Sequence, residues 1–134
     1  MRIKLAPAEM EKSVQRLEAF LQERGFAIAH DEALELSARL LGFENWERCR
    51  GERSQPLSPL DQDLSEAELA RRDRLQMDVL EREGYGEIAD ELLDRVDPTG
   101  SWQNVFPEHE GFYPLRRQPR LRIAYRRSTS EQNV

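Results

Sequence analysis

Apolar residues recur every three or four positions in five stretches of the chain, which is the pattern of amphipathic helices. Three of these stretches end in a glycine followed by an aromatic residue, at Gly25-Phe26, Gly42-Phe43 and Gly84-Tyr85. A glycine just past the last helical residue typically closes a helix. The pattern predicts helices over about 8–24, 31–41, 44–52, 65–83 and 86–96.

The spacing also predicts which side chains face the core. In the second helix Leu34 belongs to the apolar stripe and Leu36 lies at its margin. In the short third helix Trp46 is expected to fill the core between the first two helices. Cys49 falls on the buried side of that helix, where a lone cysteine usually acts as a small apolar residue.

Alternation of apolar and basic residues marks one short segment at each end of the chain. Residues 3–5 (Ile-Lys-Leu) and 121–125 (Leu-Arg-Ile-Ala-Tyr) each carry apolar residues at every second position, as a strand with one buried face does. A lone strand leaves backbone groups unpaired. The predicted fold class is therefore mainly α, a five-helix body with a short two-stranded β-ribbon from the N- and C-terminal segments. The alternative is pairing of either strand across a dimer.

Composition divides the chain into four parts. Residues 1–53 form an N-terminal strand and three-helix module, 54–64 a linker with two prolines and two serines, and 65–97 a helical hairpin. Residues 98–134 hold four prolines and end in an arginine-rich strand or tail. Aromatic side chains argue against a free tail, so we expect this part to strap over the helices or to become ordered on a partner. The candidate aromatic contacts are Trp102, Phe106, Phe112 and Tyr113.

Charge is distributed unevenly over the 134 residues. The net charge is -6, but residues 1–115 carry 14 Lys plus Arg and 25 Asp plus Glu, whereas 116–134 carry six arginines and one glutamate. Together with two N-terminal cations, these arginines form the candidate contact patch: Arg2, Lys4, Arg116, Arg117, Arg120, Arg122, Arg126 and Arg127. The simplest interpretation is that the tail neutralises acidic surfaces of its own chain or of a second copy.

Reactive groups are few. The chain has two histidines, His30 and His109, and one cysteine. None has the ligand spacing of a metal site or the neighbours of a catalytic nucleophile. No apolar run approaches the roughly 20 residues of a membrane span, and no signal-peptide pattern begins the chain. We therefore expect a cytoplasmic protein with no catalytic residue, no metal, no cofactor and no membrane contact.

A helix-turn-helix rhythm runs from Ala33 to the third helix. The DNA-contacting residues would be Arg48, Arg50 and Arg53. Glutamates at 44, 47 and 52 lie among them and would repel phosphate.

The second helix region begins at His30, continues with Leu34, Glu35 and Ala38, and ends at Gly42-Phe43 with Trp46 three residues later. This pattern resembles a helical module of bacterial accessory proteins called "glyoxalase-related". The resemblance covers about residues 8–52, with Leu17, Leu21 and Gly25 in its lead-in helix and Ala29 where the module has a capping serine. The family name implies a metal-dependent lyase, but such enzymes are built from β-α-β-β-β units that this chain lacks, so lyase activity is not implied. The matching residues of the module proper are His30, Leu34, Glu35, Ala38, Gly42, Phe43 and Trp46.

These observations predict a small, acidic, non-enzymatic protein that acts by protein–protein interaction. An inhibitor, antitoxin or adaptor would fit, and the resemblance suggests a mobile-element or defence-related role. A homodimer and nucleic-acid contact through the arginine-rich C-terminal segment are alternatives kept open. A DNA-binding regulator is the second hypothesis, and a metal-dependent enzyme is a distant third.

Overall fold

The computed structural model describes residues 1–52, 56–59 and 61–99, without the side chain of Gln62. This part of the chain is mainly helical, and it confirms the five predicted helices. Two short 3-10 turns, Asp61–Asp63 and Gly86–Ile88, precede the last two helices. The helices are α1 (Pro7–Glu23), α2 (His30–Leu40), α3 (Trp46–Gly51), α4 (Glu66–Arg82) and α5 (Ala89–Val96).

Local sequence signals determine most of the helix ends. Gly25, Gly42 and Gly84 all have positive φ, between +86° and +92°, as the glycine stops predicted. In each case the amide of the following aromatic residue donates to the carbonyl five residues earlier, at 2.7–3.0 Å. At the start of α4, Ser65 and Glu68 form a capping box in which each side chain accepts from the other residue's amide.

The helices form two hairpins that pack on each other. α1 packs on α2 and α5, and α4 packs on the same two helices. The C-terminal corners of α1 and α4 meet where the rings of Phe26 and Tyr85 cross edge to face, with centroids 5.2 Å apart. The main core between the hairpins consists of Leu17, Phe20, Leu21, Leu36, Leu40, Met77, Val79, Leu80, Ala89, Leu92, Leu93 and Val96.

A second apolar cluster joins the N-terminal segment to α2 and α3. It contains Ile3, Leu5, Met10, Ala38, Leu41, Phe43 and Cys49. Ile3 and Leu5 are 1% and 8% exposed, whereas Arg2 is exposed and Lys4 is half-buried. The predicted alternation of buried and solvent-facing residues is therefore correct at this end of the chain.

The predicted β-ribbon is nevertheless wrong, because no strand occurs among the described residues. The amide of Ile3 donates to the carbonyl of Leu41 at the end of α2, at 2.7 Å. Lys4 exchanges two hydrogen bonds with Ser58: its amide donates to Oγ at 2.8 Å, and its carbonyl accepts from the Ser58 amide at 2.9 Å. The end of α2 and the proline-rich turn thus supply the backbone hydrogen bonds that the prediction had assigned to a second strand. The proposed second strand, within 120–126, lies outside the described residues.

Hydrogen bonds from α1 fix the point where the described chain ends. The carbonyl of Pro98 accepts from Ser13 Oγ on α1 at 3.3 Å. Arg16, one turn further along α1, donates to the carbonyls of Val96 and Asp97 at 2.6 and 3.1 Å. Residues 96–98 are therefore held against the middle of α1.

Candidate functional site

An open, mostly apolar groove of about 770 Å³ lies between the N-terminal segment, α1, α2 and α3. We call it the α1–α3 groove. Its volume is within the range of small-molecule and cofactor pockets, roughly 300–1,000 Å³. The lining residues are Lys4, Leu5, Pro7, Met10, Glu11, Val14, Gln15, His30, Leu34, Trp46, Cys49, Arg50 and Leu57.

The rotation of α2 about its axis opens this groove. Leu36, predicted at the margin of the apolar stripe, is 4% exposed in the main core. Leu34, predicted on the buried stripe, is half-buried and lines the groove instead. Both expectations are wrong because α2 packs on α1, α3 and α4 at once, which places Leu36 inside the main core and leaves Leu34 on the side that lines the groove.

Trp46 lines the groove from α3. It is half-buried and packs against the second cluster, so the expectation that it fills the core between α1 and α2 is wrong. The amide of Trp46 donates to Glu35 Oε2 of α2 at 3.2 Å, which fixes the start of α3. A large ring with one covered and one open side is the usual form of an interface anchor.

The rim of the groove is more basic than the body around it. Lys4 and Arg50 line it, and no ion pair is found for either cation among the described residues. Glu11 is the one carboxylate in the lining, and the imidazole of His30 contacts Glu18. The described ranges otherwise hold a clear excess of Asp and Glu. Coulomb attraction at this rim therefore favours an acidic group on whatever occupies the groove.

Cys49 lies in the groove wall but has little nucleophilic character. Burial raises the pKa of its thiol to about 11, and the nearby Lys4 opposes this only in part. A thiol that stays protonated near neutral pH reacts slowly. Within the described ranges, no three His, Cys, Asp or Glu side chains come close enough to hold a metal ion.

Two of the eight residues of the predicted contact patch are described. Arg2 pairs with Glu52 at 3.3 Å and stacks over the ring of Phe43. Lys4 instead lines the α1–α3 groove, so the two cations have different surroundings. The other members (Arg116, Arg117, Arg120, Arg122, Arg126 and Arg127) and the candidate aromatic contacts (Trp102, Phe106, Phe112 and Tyr113) lie outside the described residues.

The candidate DNA-contacting arginines lie on and after α3. Arg48 and Arg50 are exposed, and Arg53 lies outside the described residues. α3 has only six residues, and Glu47, Arg48 and Glu52 share one shallow cleft on its surface. A helix this short presents few side chains to a major groove, and two glutamates oppose its charge.

Sequence reasoning missed the groove itself. The proline and serine content of residues 56–59 indicates only a linker, yet Leu57, 60% exposed, forms part of the lining. The positions of the prolines predict a turn, but they do not predict which part of the protein the turn packs against.

Comparison with known proteins adds no relative: no protein-family model, no curated protein and no solved structure matches this chain. The resemblance of residues 8–52 to the glyoxalase-related module stays a prediction. Among the described helices, none is both long enough and apolar enough to cross a membrane.

Proposed function

We propose that this protein acts by protein–protein interaction, with the α1–α3 groove receiving an apolar segment of another protein. The observation that carries the proposal is the groove itself, with Met10, Val14 and Trp46 along its walls. A concave, mostly apolar surface with a few polar groups at its edge is the usual form of a binding site. An inhibitor, an antitoxin or an adaptor would each use such a site, and none of them needs a catalytic group.

The chemistry of the groove indicates the class of segment it takes. Large apolar or aromatic side chains suit the lining, and a neighbouring Asp or Glu suits Lys4 and Arg50 at the rim. An apolar cavity of about 150 Å³ holds a benzene ring, so the groove has room for several rings. We therefore propose a short aromatic segment with adjacent carboxylates as the partner's contact.

The test uses the full chain and a displayed library of random 12-residue peptides. Leu34→Asp places a charge on the groove wall, and Leu69→Asp, at a half-buried position of α4 outside the groove lining, is the matched control. We expect enriched peptides to combine large apolar residues with Asp or Glu. Leu34→Asp should weaken their binding about tenfold or more, the effect of about 1.4 kcal/mol, while Leu69→Asp leaves it unchanged. Peptide binding that Leu34→Asp does not alter would refute the proposal.

A DNA-binding regulator is the alternative function, supported by the exposure of Arg48 and Arg50 after a helix and a turn. Fluorescence anisotropy with a random 20-base-pair duplex at low and at physiological salt tests it. Binding that weakens steeply with salt and that Arg48→Gln and Arg50→Gln abolish would favour the regulator. Salt-dependent binding that survives both changes would point to the arginine-rich segment instead.

A further inference from the structure

We propose that the α1–α3 groove binds a small amphipathic carboxylic acid, with one carboxylate on an unbranched apolar chain of about eight to ten carbons. The inference rests on the groove of the proposed function and names a regulator of it, because such an acid competes with a partner's segment for the same walls. Three features of the groove carry the inference: its polarity, its net charge and its length.

The groove has a positively charged end, where α1 begins. There Leu5, Met10 and Cys49 belong to one apolar cluster. Burial raises the pKa of the Cys49 thiol, and the charge of Lys4 lies near enough to oppose this shift. Arg50 follows Cys49 on α3 and lines the same groove. Coulomb attraction therefore favours a negatively charged head group at this end.

The opposite end of the groove lies where α2 begins. His30 is the first residue of α2, and its ring contacts Glu18 of α1, so this imidazole already has a carboxylate partner. Between the two ends, Val14, Leu34 and Trp46 supply apolar walls. A ligand with its charge at one end and an apolar body therefore matches the groove better than one that is charged at both ends.

The charge of the lining favours a monoanion. Lys4 and Arg50 have no ion pair within the described ranges, and Glu11 is the one carboxylate among the lining residues. Two cations against one carboxylate leave one net positive charge, which a single carboxylate neutralises. A dianion such as a phosphate monoester would instead leave the lining with an excess of negative charge. The site therefore favours a monocarboxylate.

The wall along α1 sets the length of the apolar chain. The α1 residues of the lining run from Pro7 to Gln15, and eight residues of helix extend about 12 Å. An extended hydrocarbon chain advances about 1.25 Å per carbon, so about eight to ten carbons cover this length. Each methylene that leaves water adds about fourfold to the affinity, up to the length that the walls cover.

Octanoate, titrated into the full-length chain, is the probe, and Trp46 in the groove wall reports its binding. The chain has two tryptophans, so Trp102→Phe makes Trp46 the only one. We expect saturable binding with a blue shift of Trp46 emission, because the apolar chain replaces water at the ring. Octan-1-ol has the same chain without the charge and should bind about tenfold more weakly. The step from hexanoate to octanoate should tighten binding about tenfold, whereas dodecanoate should gain little over decanoate.

Substitutions separate the head-group contact from the wall. Lys4→Gln and Arg50→Gln should each weaken octanoate binding about fivefold or more and leave octan-1-ol binding unchanged. Arg48→Gln is the matched control, because Arg48 is exposed on α3 outside the groove lining, and it should alter neither ligand. Leu34→Asp places a charge on the wall and should abolish binding of both. Far-UV circular dichroism must stay the same in all variants.

The parent protein alone can overturn the proposal. Equal affinity for octanoate and octan-1-ol would do so, since the carboxylate would then have no contact, and so would the lack of a saturable signal at millimolar octanoate. Octanoate binding that Leu34→Asp leaves intact would place the acid outside the groove and would overturn the proposal as well.

Competition with the enriched peptides separates this inference from the proposed function. If both ligands bind, octanoate at about ten times its dissociation constant should weaken peptide binding about tenfold. If octanoate binds and no peptide is enriched, the acid site stands and the proposed function fails. If peptides sensitive to Leu34→Asp are enriched and octanoate does not bind, the proposed function stands and the acid site fails. Octanoate and peptide that bind together without competition would overturn the regulation inferred here.

Discussion

The burial of Cys49 makes the stability of the fold depend on pH. Its pKa rises from 9.0 to about 11 mainly because burial disfavours the thiolate. Because the pKa in the folded state is higher than in the unfolded state, the neutral thiol contributes stability that is fully present below pH 9. That contribution is lost as the pH rises towards 11.

We therefore expect the urea midpoint of unfolding to fall between pH 9 and pH 11. Cys49→Ala is the control, because it removes this titration and leaves those of the tyrosines and lysines. The fall in the parent should exceed that in Cys49→Ala. Equal falls would show that the thiol titrates alike in the folded and unfolded chains.

Trp46 is the residue whose structural role differs most from its predicted one. A fully buried tryptophan costs roughly 3–5 kcal/mol when truncated to alanine, but one side of this ring already faces the groove. Trp46→Ala should therefore lower the free energy of unfolding by only about 1–2 kcal/mol. Leu17→Ala in the main core, where Leu17 is 0% exposed, should cost more, about 2–5 kcal/mol. Chemical denaturation of both variants measures the difference, and equal losses would place Trp46 energetically in the core.

At the level of elements, Gly42 has two functions that can be separated. Its φ of +87° closes α2, and a Cβ atom there would overlap the Met1 carbonyl of the N-terminal segment. Gly25 closes α1 at +86°, and a Cβ atom there would meet nothing within 4 Å. Substituting either glycine therefore strains the backbone, but only a side chain at residue 42 would also clash with a neighbouring segment.

Gly25→Ala should destabilise the protein by about 1 to 2 kcal/mol, the cost of a left-handed alanine. Gly42→Ala should cost roughly 1 to 3 kcal/mol more, because the N-terminal segment must move. Denaturant titration gives both values, and amide exchange at Ile3 should speed up only in Gly42→Ala. Equal costs would mean that the N-terminal segment adjusts without loss.

The helix ends are predictable from sequence because their signals are local. A glycine followed by an aromatic residue, or Ser65 three residues before Glu68, sets hydrogen bonds within a few positions of the chain. The same locality explains why alternation correctly predicts one buried and one solvent-facing side for residues 3–5.

The partners of these elements are not predictable in the same way. Ile3 bonds to Leu41 and Lys4 to Ser58, and both partners are distant in sequence. The groove depends on the rotation of α2 and on the placement of Leu57, which tertiary packing decides. Periodicity alone could not choose between Leu34 and Leu36, since they lie at opposite edges of the apolar stripe, about 160° apart around the helix.

At the scale of the whole molecule, a buried ion pair connects the turn before α4 to the end of α5. Arg72 of α4 pairs with Asp61 at 2.8 Å, and their side chains are 5% and 2% exposed. Arg72 also donates to the carbonyl of Pro59 at 2.7 Å, and Thr99 Oγ1 donates to the second oxygen of Asp61 at 2.9 Å. The network thereby fixes the turn at 56–59, which carries Leu57 to the groove, and the last described residue of the chain.

Removing one partner of a buried pair leaves the other charge without compensation, which costs roughly 3–5 kcal/mol. Arg72→Met should lower the free energy of unfolding by this amount. Arg71 is exposed on the same turn of α4, so Arg71→Met should change it by about 0.5 kcal/mol or less. Because Asp61 and Arg72 act as one unit, Asp61→Asn combined with Arg72→Met should cost clearly less than the two single changes added together. Urea denaturation of the parent, the two single variants and the double variant completes the cycle. Strictly additive losses would mean that the pair contributes through its separate contacts with Thr99 and Pro59, and not through the attraction between the two charges.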